Sequence, residues 1–181
     1  MIQYETIDSS FFYANKKYCE TIESKFKTIN LNCSGFCNCY GYDIETNLNR
    51  DNLTYNIRFF KHQSTQNGFV MGVAVNAIDY AGVEVTVTGL NKKFSIIIGK
   101  SLLNRFFCSN KIKETIPEPY FIKSNKSTDN IFIYNLIENL LVNNISTIKL
   151  RNGTLICKLH IPTADPLKLI SDIEKSIKVF K

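Results

Sequence analysis

Four stretches in the middle of the chain decide the fold: LTYNIRFF (residues 53–60), FVMGVAVN (69–76), VEVTVT (83–88) and FSIII (94–98). In each of them, large apolar residues fall on every second position. Successive side chains of a β-strand point to opposite sides of the sheet, so each stretch predicts a strand with one apolar face and one mixed face. The links between the stretches are short, which favours antiparallel pairing of consecutive strands.

Amphipathic helices are predicted on both sides of these strands. Residues 9–29 repeat apolar side chains at helical spacing, and residues 127–142 do the same. A last helix is predicted where Asp165 offers a cap and Pro166 takes the first helical position. We therefore predict an α+β fold, a single domain over residues 1–181. Its antiparallel sheet of six to eight strands has one face covered by three to four helices.

Shorter elements complete the expected order. The patterns predict an edge strand at 36–44, a polar loop at 45–52, a short helix at 101–107, a strand at 120–123 and a hairpin at 145–161. The order of helix, hairpin and helix in the last third resembles that of several bacterial α+β domains. No diagnostic motif accompanies this resemblance, so it identifies no family and transfers no site residues.

Composition indicates a folded chain in the cytoplasm. Of the 181 residues, 44% are hydrophobic and 21% are charged, which are ordinary globular values. The first ten residues carry acidic side chains and lead into no apolar segment, unlike a signal peptide. No apolar run is long enough for a membrane span. We therefore expect a cytoplasmic protein whose six cysteines are reduced.

The basic charge does not predict a nucleic-acid site. The formal net charge is +6, but only four of the 22 basic residues are arginines, which are the residues that grip phosphate with two parallel hydrogen bonds. A nucleic-acid footprint also needs its cations clustered on one face. We expect no specific nucleic-acid partner.

Three cysteines, Cys33, Cys37 and Cys39, lie within seven residues and are the candidate metal ligands. Thiolates suit zinc and iron–sulfur clusters, although structural zinc sites favour paired C-x2-C knuckles rather than this spacing. The alternative is that the thiols pack as small buried side chains. Metal binding or thiol redox chemistry at this cluster therefore remains an alternative function, and no cofactor is predicted.

Catalytic motifs are absent from the sequence. The segment Gly99-Lys100-Ser101 follows a predicted strand, but residue 94 is Phe where a phosphate-binding loop needs glycine. The two histidines, His62 and His160, stand beside no nucleophile at catalytic spacing. Whether the protein is an enzyme stays uncertain, and a small-ligand enzyme without a recognisable motif remains open.

The mixed face of the sheet is the remaining candidate site. Arg58, Glu84, Thr86 and Thr88 are predicted to project from it, and we select them as candidate partner-binding residues. The simpler reading is a solvated sheet face; the functional reading is a docking surface. The sequence thus favours a non-enzymatic protein-binding or assembly module whose partner is another protein or a second copy of the chain.

Overall fold

The computed structural model describes most of the chain in eleven strands and three helices. The described residues are 1–5, 8–63, 69–70, 73–74, 79–91, 95–108, 116, 118–124, 145–160 and 165–178. The strands are β1 (Ile2–Tyr4), β2 (Ser34–Asn38), β3 (Gly41–Arg50), β4 (Leu53–Gln63), β5 (Phe69–Val70), β6 (Val73–Ala74), β7 (Asp79–Thr88), β8 (Ile96–Lys100), β9 (Tyr120–Ser124), β10 (Ile145–Arg151) and β11 (Thr154–Leu159). The helices are α1 (Ser10–Lys27), α2 (Leu102–Phe106) and α3 (Pro166–Lys178).

Nine of these strands form one mixed sheet. Their order is β1-β2-β3-β4-β7-β11-β10-β8-β9, and β5 and β6 form a separate two-stranded sheet. β1 pairs with β2 in parallel, with Ile2 opposite Gly35 and Tyr4 opposite Cys37. The pairs β2–β3, β8–β9, β8–β10 and β10–β11 are antiparallel. A parallel pair needs a long crossover connection, and the 18 residues of α1 supply it between β1 and β2.

Internal contacts divide the chain into two compact units. Unit 1 contains Met1–Asn47, Ile57–Val83 and His160–Ala164, and unit 2 contains Leu48–Asn56, Glu84–Leu159 and Asp165–Lys181. The single domain expected over residues 1–181 stays a prediction. Among the described residues, no helix combines the length and apolarity needed to cross a membrane.

The core of unit 1 forms between α1 and the sheet. Ser9 caps α1 by accepting a hydrogen bond from the backbone N–H of Phe12. The buried side of the helix carries Phe12, Cys19, Ile22 and Phe26. The ring of Phe26 meets the edge of the Phe59 ring on β4 at 5.9 Å between centroids. Burial of these large side chains is the main term that holds α1 on the sheet.

The hairpin of β2 and β3 depends on one asparagine and one glycine at its turn, Asn38 and Gly41, and on a second glycine, Gly35, within β2. The side chain of Asn38 accepts hydrogen bonds from the backbone N–H groups of Tyr40 and Gly41. Gly35 and Gly41 have φ angles of +135° and +157°, which are unfavourable for other residues. A Cβ atom on Gly41 would lie 1.8 Å from the carbonyl oxygen of Lys61, so the strands approach more closely than any side chain permits.

Unit 2 is built on the four strands β7, β11, β10 and β8. The inward side chains are fully or nearly fully buried and come from all four strands: Val85, Val87, Ile96, Ile98, Ile148, Leu150, Leu155 and Cys157. On α3 the buried apolar side chains include Leu169, Ile170, Ile173 and Ile177. Asp165 caps α3 through the backbone N–H of Lys168, as predicted.

One buried charge in unit 2 organises the segment before β9. Arg105 is the buried residue of α2, and its Nη1 donates to the carbonyl oxygens of Ile116 and Tyr120 at 2.9 and 2.8 Å. Its Nε also lies 3.6 Å from a carboxylate oxygen of the exposed Glu118. A guanidinium group removed from water is tolerated because it is hydrogen-bonded, so Arg105 acts as a brace between α2 and β9.

The predicted α+β architecture of six to eight antiparallel strands under three to four helices is wrong. The sheet has nine strands and is mixed, and only α1 and α3 among the described helices are longer than one and a half turns. β1 was not predicted, because its three residues are too few to show apolar side chains at alternate positions. The short helix was correctly expected, but its apolar residues Leu102, Leu103, Phe106 and Phe107 are exposed rather than covering the sheet.

The expected order of neighbouring strands is also corrected. β7 and β8 are not neighbours, because the β10–β11 hairpin lies between them. Leu90, just after β7, donates its backbone N–H to the carbonyl of Gly153 in that hairpin's turn. Within the strand predicted at 69–76, the structure describes β5 and β6, which pair with each other outside the main sheet. The Asn67-Gly68 turn and the helix at 127–142 lie outside the described residues.

Candidate binding surface

The outward side of β4 carries a row of functional side chains in unit 1. Residues two apart on a strand share a face, so Arg58, Phe60 and His62 project together, away from the buried Ile57 and Phe59. The guanidinium carbon of Arg58 lies 5.6 Å from the centre of the Phe60 ring, and the Phe60 and His62 rings stack at 6.1 Å. This spacing gives β4 a continuous ridge of flat groups.

Neighbouring elements extend the ridge on both sides. From β7, the Tyr80 ring stacks on Phe60 at 5.6 Å, and the ring of His160 lies 5.9 Å from Tyr80. From β3, Asp43 accepts two hydrogen bonds from the Arg58 fork, one of them from Nε at 2.8 Å. Nε2 of His62 lies 3.7 Å from the same carboxylate. We call these six residues the aromatic–histidine patch: Asp43, Arg58, Phe60, His62, Tyr80 and His160.

The patch is largely exposed apart from its Phe60 ring, which is buried at 9% exposure, and its side chains hold one another in place. Tyr80 is 53% exposed although rings contact it on two sides, and Arg58 is half exposed although Asp43 holds its guanidinium group. Side chains that are already fixed lose little conformational entropy when a partner binds. The arrangement therefore offers a partner a preformed surface of aromatic and charge-paired groups.

The other predicted partner-binding residues lie in unit 2. Glu84 forms an ion pair with Lys158 of β11, so its charge is already neutralised. Thr86 is half-buried and Thr88 is exposed, both on the outward side of β7. The structure thus places all four predicted residues on outward positions, but it brings only Arg58 into the aromatic–histidine patch.

Sequence reasoning missed Phe60, His62, Tyr80, His160 and Asp43 as one site. The alternation of residues 53–59 was recognised, and two further steps along β4 would have placed Phe60 and His62 beside Arg58. Tyr80 could have been found by the same parity along β7. The presence of His160 and Asp43 depends on strand order, for which a single sequence carries no local signal.

The three candidate metal ligands are not gathered into a site in the part of the chain that is described. Cys33 and Cys37 are buried on the side of the sheet that faces α1, whereas Cys39 lies in the β2–β3 turn. No group of three or more His, Cys, Asp or Glu side chains among the described residues is arranged to hold a metal ion. The interacting partner of Cys37 is instead Cys19 of α1.

Burial also sets the chemistry of these thiols. It raises the pKa of Cys33 to about 11 and that of Cys157 to about 12, and it raises the pKa values of Cys19 and Cys37 as well. The thiolate is the nucleophile and the metal ligand, so a thiol that resists ionisation is poor at both tasks. Packing is therefore the role that the geometry of these cysteines supports.

We expect purified protein to contain no stoichiometric zinc or iron. The reason is that Cys33 and Cys37 are buried as thiols beside Cys19, and Cys39 lies apart from them. Elemental analysis of protein expressed in metal-supplemented medium is the measurement, with Cys37→Ser and Cys108→Ser compared in parallel. A content of about one metal per chain that is lost in Cys37→Ser and kept in Cys108→Ser would contradict this expectation.

Comparison with known proteins gives no further guide to this surface. No family model, no curated protein and no solved structure matches the chain. The function assigned to this surface therefore rests on the geometry of the residues that form it.

Proposed function

We propose that this protein is a non-enzymatic binding module that takes a protein surface, from a second copy of the chain or from a different protein, on the outward side of its sheet. The observation that carries the proposal is the exposed Tyr80 ring, held between Phe60 and His160. Tyrosine and arginine are enriched among the few residues that dominate the energy of protein interfaces. Tyr80 and Arg58 are accordingly the anchors of the proposed interface.

Charge pairing favours a protein over a phosphate backbone at these anchors. Arg58 is held by Asp43, and Lys158 is held by Glu84, so each cation beside a predicted docking residue has a carboxylate partner. Binding to a phosphate backbone instead gains from unpaired cations that displace counterions. An aromatic patch whose charges are paired resembles the composition of protein interfaces.

We also propose that the module works in the cytoplasm. All six cysteines, each in a described part of the chain, are free thiols. Proteins of oxidising compartments use such cysteines in disulfides far more often. Reduced buried thiols in the core of both units therefore support a reducing environment.

Replacing Tyr80 with alanine should weaken association by about tenfold or more, since it removes the central ring of the patch. The matched control is Tyr13→Ala on α1, because Tyr13 is 55% exposed and lies outside the patch. Sedimentation velocity over a range of concentrations measures self-association. Quantitative affinity capture of the wild type and both variants measures a different partner.

Two further variants test the threonines. Thr86→Lys or Thr88→Lys, which places an unpaired charge on the outward side of β7, should also weaken the interaction. Identical self-association and identical partner sets for wild type, Tyr80→Ala and Thr86→Lys would refute the proposal. Tight binding to DNA or RNA with a steep salt dependence would replace it with a nucleic-acid function.

A further inference from the structure

An exposed lysine in unit 2 lies between two isoleucines. Lys149 on β10 is directly opposite Ile97 on β8 and directly opposite Ile156 on β11. Side chains at opposed positions of adjacent strands point to the same face and lie about 5 Å apart at their Cβ atoms. The outward side of these three strands therefore carries an apolar–cationic–apolar triplet, in which Ile97 is itself 36% exposed.

A second cation lies on the same strand and the same face. Arg151 follows Lys149 by two residues and is opposite Thr154 on β11. Both Lys149 and Arg151 are exposed, and neither has a carboxylate within ion-pair distance among the described residues. Lys158, in contrast, has Glu84. The two cations thus form a local positive charge that no described group of the protein neutralises.

These side chains line a groove of about 520 Å³. Pockets that hold small molecules have volumes of about 300–1,000 Å³, so the groove has a suitable size. β10 is hydrogen-bonded to β8 on one side and to β11 on the other. An extended peptide therefore finds no free strand edge here, which argues for a ligand held by side chains rather than by strand addition.

We propose that this groove binds a small amphipathic anion, with its charged head between Lys149 and Arg151 and its apolar body on Ile97 and Ile156. The guanidinium fork of Arg151 matches a carboxylate or a phosphate, and Lys149 adds a point charge. The apolar body covers isoleucine surface that is otherwise in contact with water. This site is independent of the aromatic–histidine patch and of its protein partner.

Binding of single-chain probes tests the proposal. Isothermal titration with octanoate and octyl phosphate is compared with inorganic phosphate, which lacks the apolar body, and with octyltrimethylammonium, which inverts the charge. We expect at least one of the two amphipathic anions to bind about tenfold more tightly than either control. Isotope-labelled isoleucine methyl groups should report the contact at Ile97 and Ile156 by their chemical shifts.

Single substitutions locate the site. Lys149→Gln and Arg151→Gln should each weaken the anion by about fivefold or more, and Ile97→Thr should weaken the anion while leaving inorganic phosphate unchanged. Lys168→Gln, an exposed lysine of α3, is the control and should have no effect. All four positions are exposed, so we expect each variant to fold. Circular dichroism of each variant checks this. Tyr80→Ala should leave probe binding unchanged, which separates this site from the proposed protein interface.

Other outcomes overturn the proposal. Equal affinity for octyl phosphate and octyltrimethylammonium would show a surface that is merely apolar. Equal affinity for octyl phosphate and inorganic phosphate would show unspecific charge attraction. Binding to anionic lipid vesicles without binding of the free probes would assign the groove to a membrane surface instead.

Discussion

Replacing Arg105 with methionine is expected to lower the free energy of unfolding by about 3–5 kcal/mol. The guanidinium group donates to two buried carbonyl oxygens, those of Ile116 and Tyr120. Hydrogen bonds from a charged donor contribute about 1.5–3 kcal/mol each, and methionine fills similar space without donating. Chemical denaturation with urea measures the loss.

Two further variants separate the contribution of the Arg105 hydrogen bonds to stability from the contribution of its charge. Glu118→Gln removes the exposed carboxylate beside Arg105 and should change stability by less than about 1 kcal/mol, because exposed ion pairs contribute little. Arg105→Lys keeps the charge but not the planar fork, so it should recover only part of the loss. A loss of less than about 1 kcal/mol in Arg105→Met would show that the two carbonyls find other donors.

Replacing Gly41 with alanine is expected to destabilise the protein by about 3 kcal/mol or more. The residue has a φ of +157°, and its added Cβ atom would overlap the carbonyl oxygen of Lys61 at 1.8 Å. Both the strained backbone and the steric overlap oppose the native hairpin, since a backbone oxygen cannot rotate away as a side chain can. Thermal and urea unfolding, with the soluble yield, report the effect.

Gly99→Ala is the matched control for this change. Its Cβ atom would lie 3.1 Å from the ring of Phe121, which can shift, and its backbone conformation suits alanine. We expect a cost of about 1 kcal/mol or less. Equal destabilisation by the two substitutions would mean that the close approach of Gly41 to β4 is not what maintains the hairpin.

Local patterns predicted the elements that carry strong signals of their own. The helical spacing of apolar residues in 9–29 predicted α1, Asp165 with Pro166 predicted the start of α3, and the pattern at 145–161 predicted the β10–β11 hairpin. Each of these signals acts within a few residues of chain. Elements defined by such short-range signals can be predicted from a single sequence.

The elements that were missed depend on partners distant in sequence. β3 looked like a polar loop from Glu45 onward, because Thr46 takes a buried position and the next turn uses Asp51 and Asn52 in place of glycine. Both turn residues adopt positive φ, which asparagine and aspartate tolerate better than most residues. The alternating apolar pattern of β7 and β8 carries no information on which strand lies beside each of them. It therefore could not predict that the β10–β11 hairpin lies between them.

The residues of the candidate site also divide into those that a local pattern predicted and those that depend on contacts between distant parts of the chain. The outward parity of Arg58, Thr86 and Thr88 was predictable from period two, whereas the meeting of His62 and His160 around Phe60 and Tyr80 was not. That meeting requires β7 to lie between β4 and β11 in the sheet. Alternation identifies which side a residue faces, but tertiary topology decides its neighbours.

The pairing of β1 with β2 limits aggregation of the protein through the edge of its sheet. β1 ends the described sheet and has only three residues, so its outer edge offers few unpaired N–H and C=O groups to a second chain. Long, flat edges are templates for intermolecular strand pairing and aggregation. Without β1, the five residues of β2 and the half-exposed ring of Phe36 would form that edge. The first residues of the chain thus act as a protective border for the sheet.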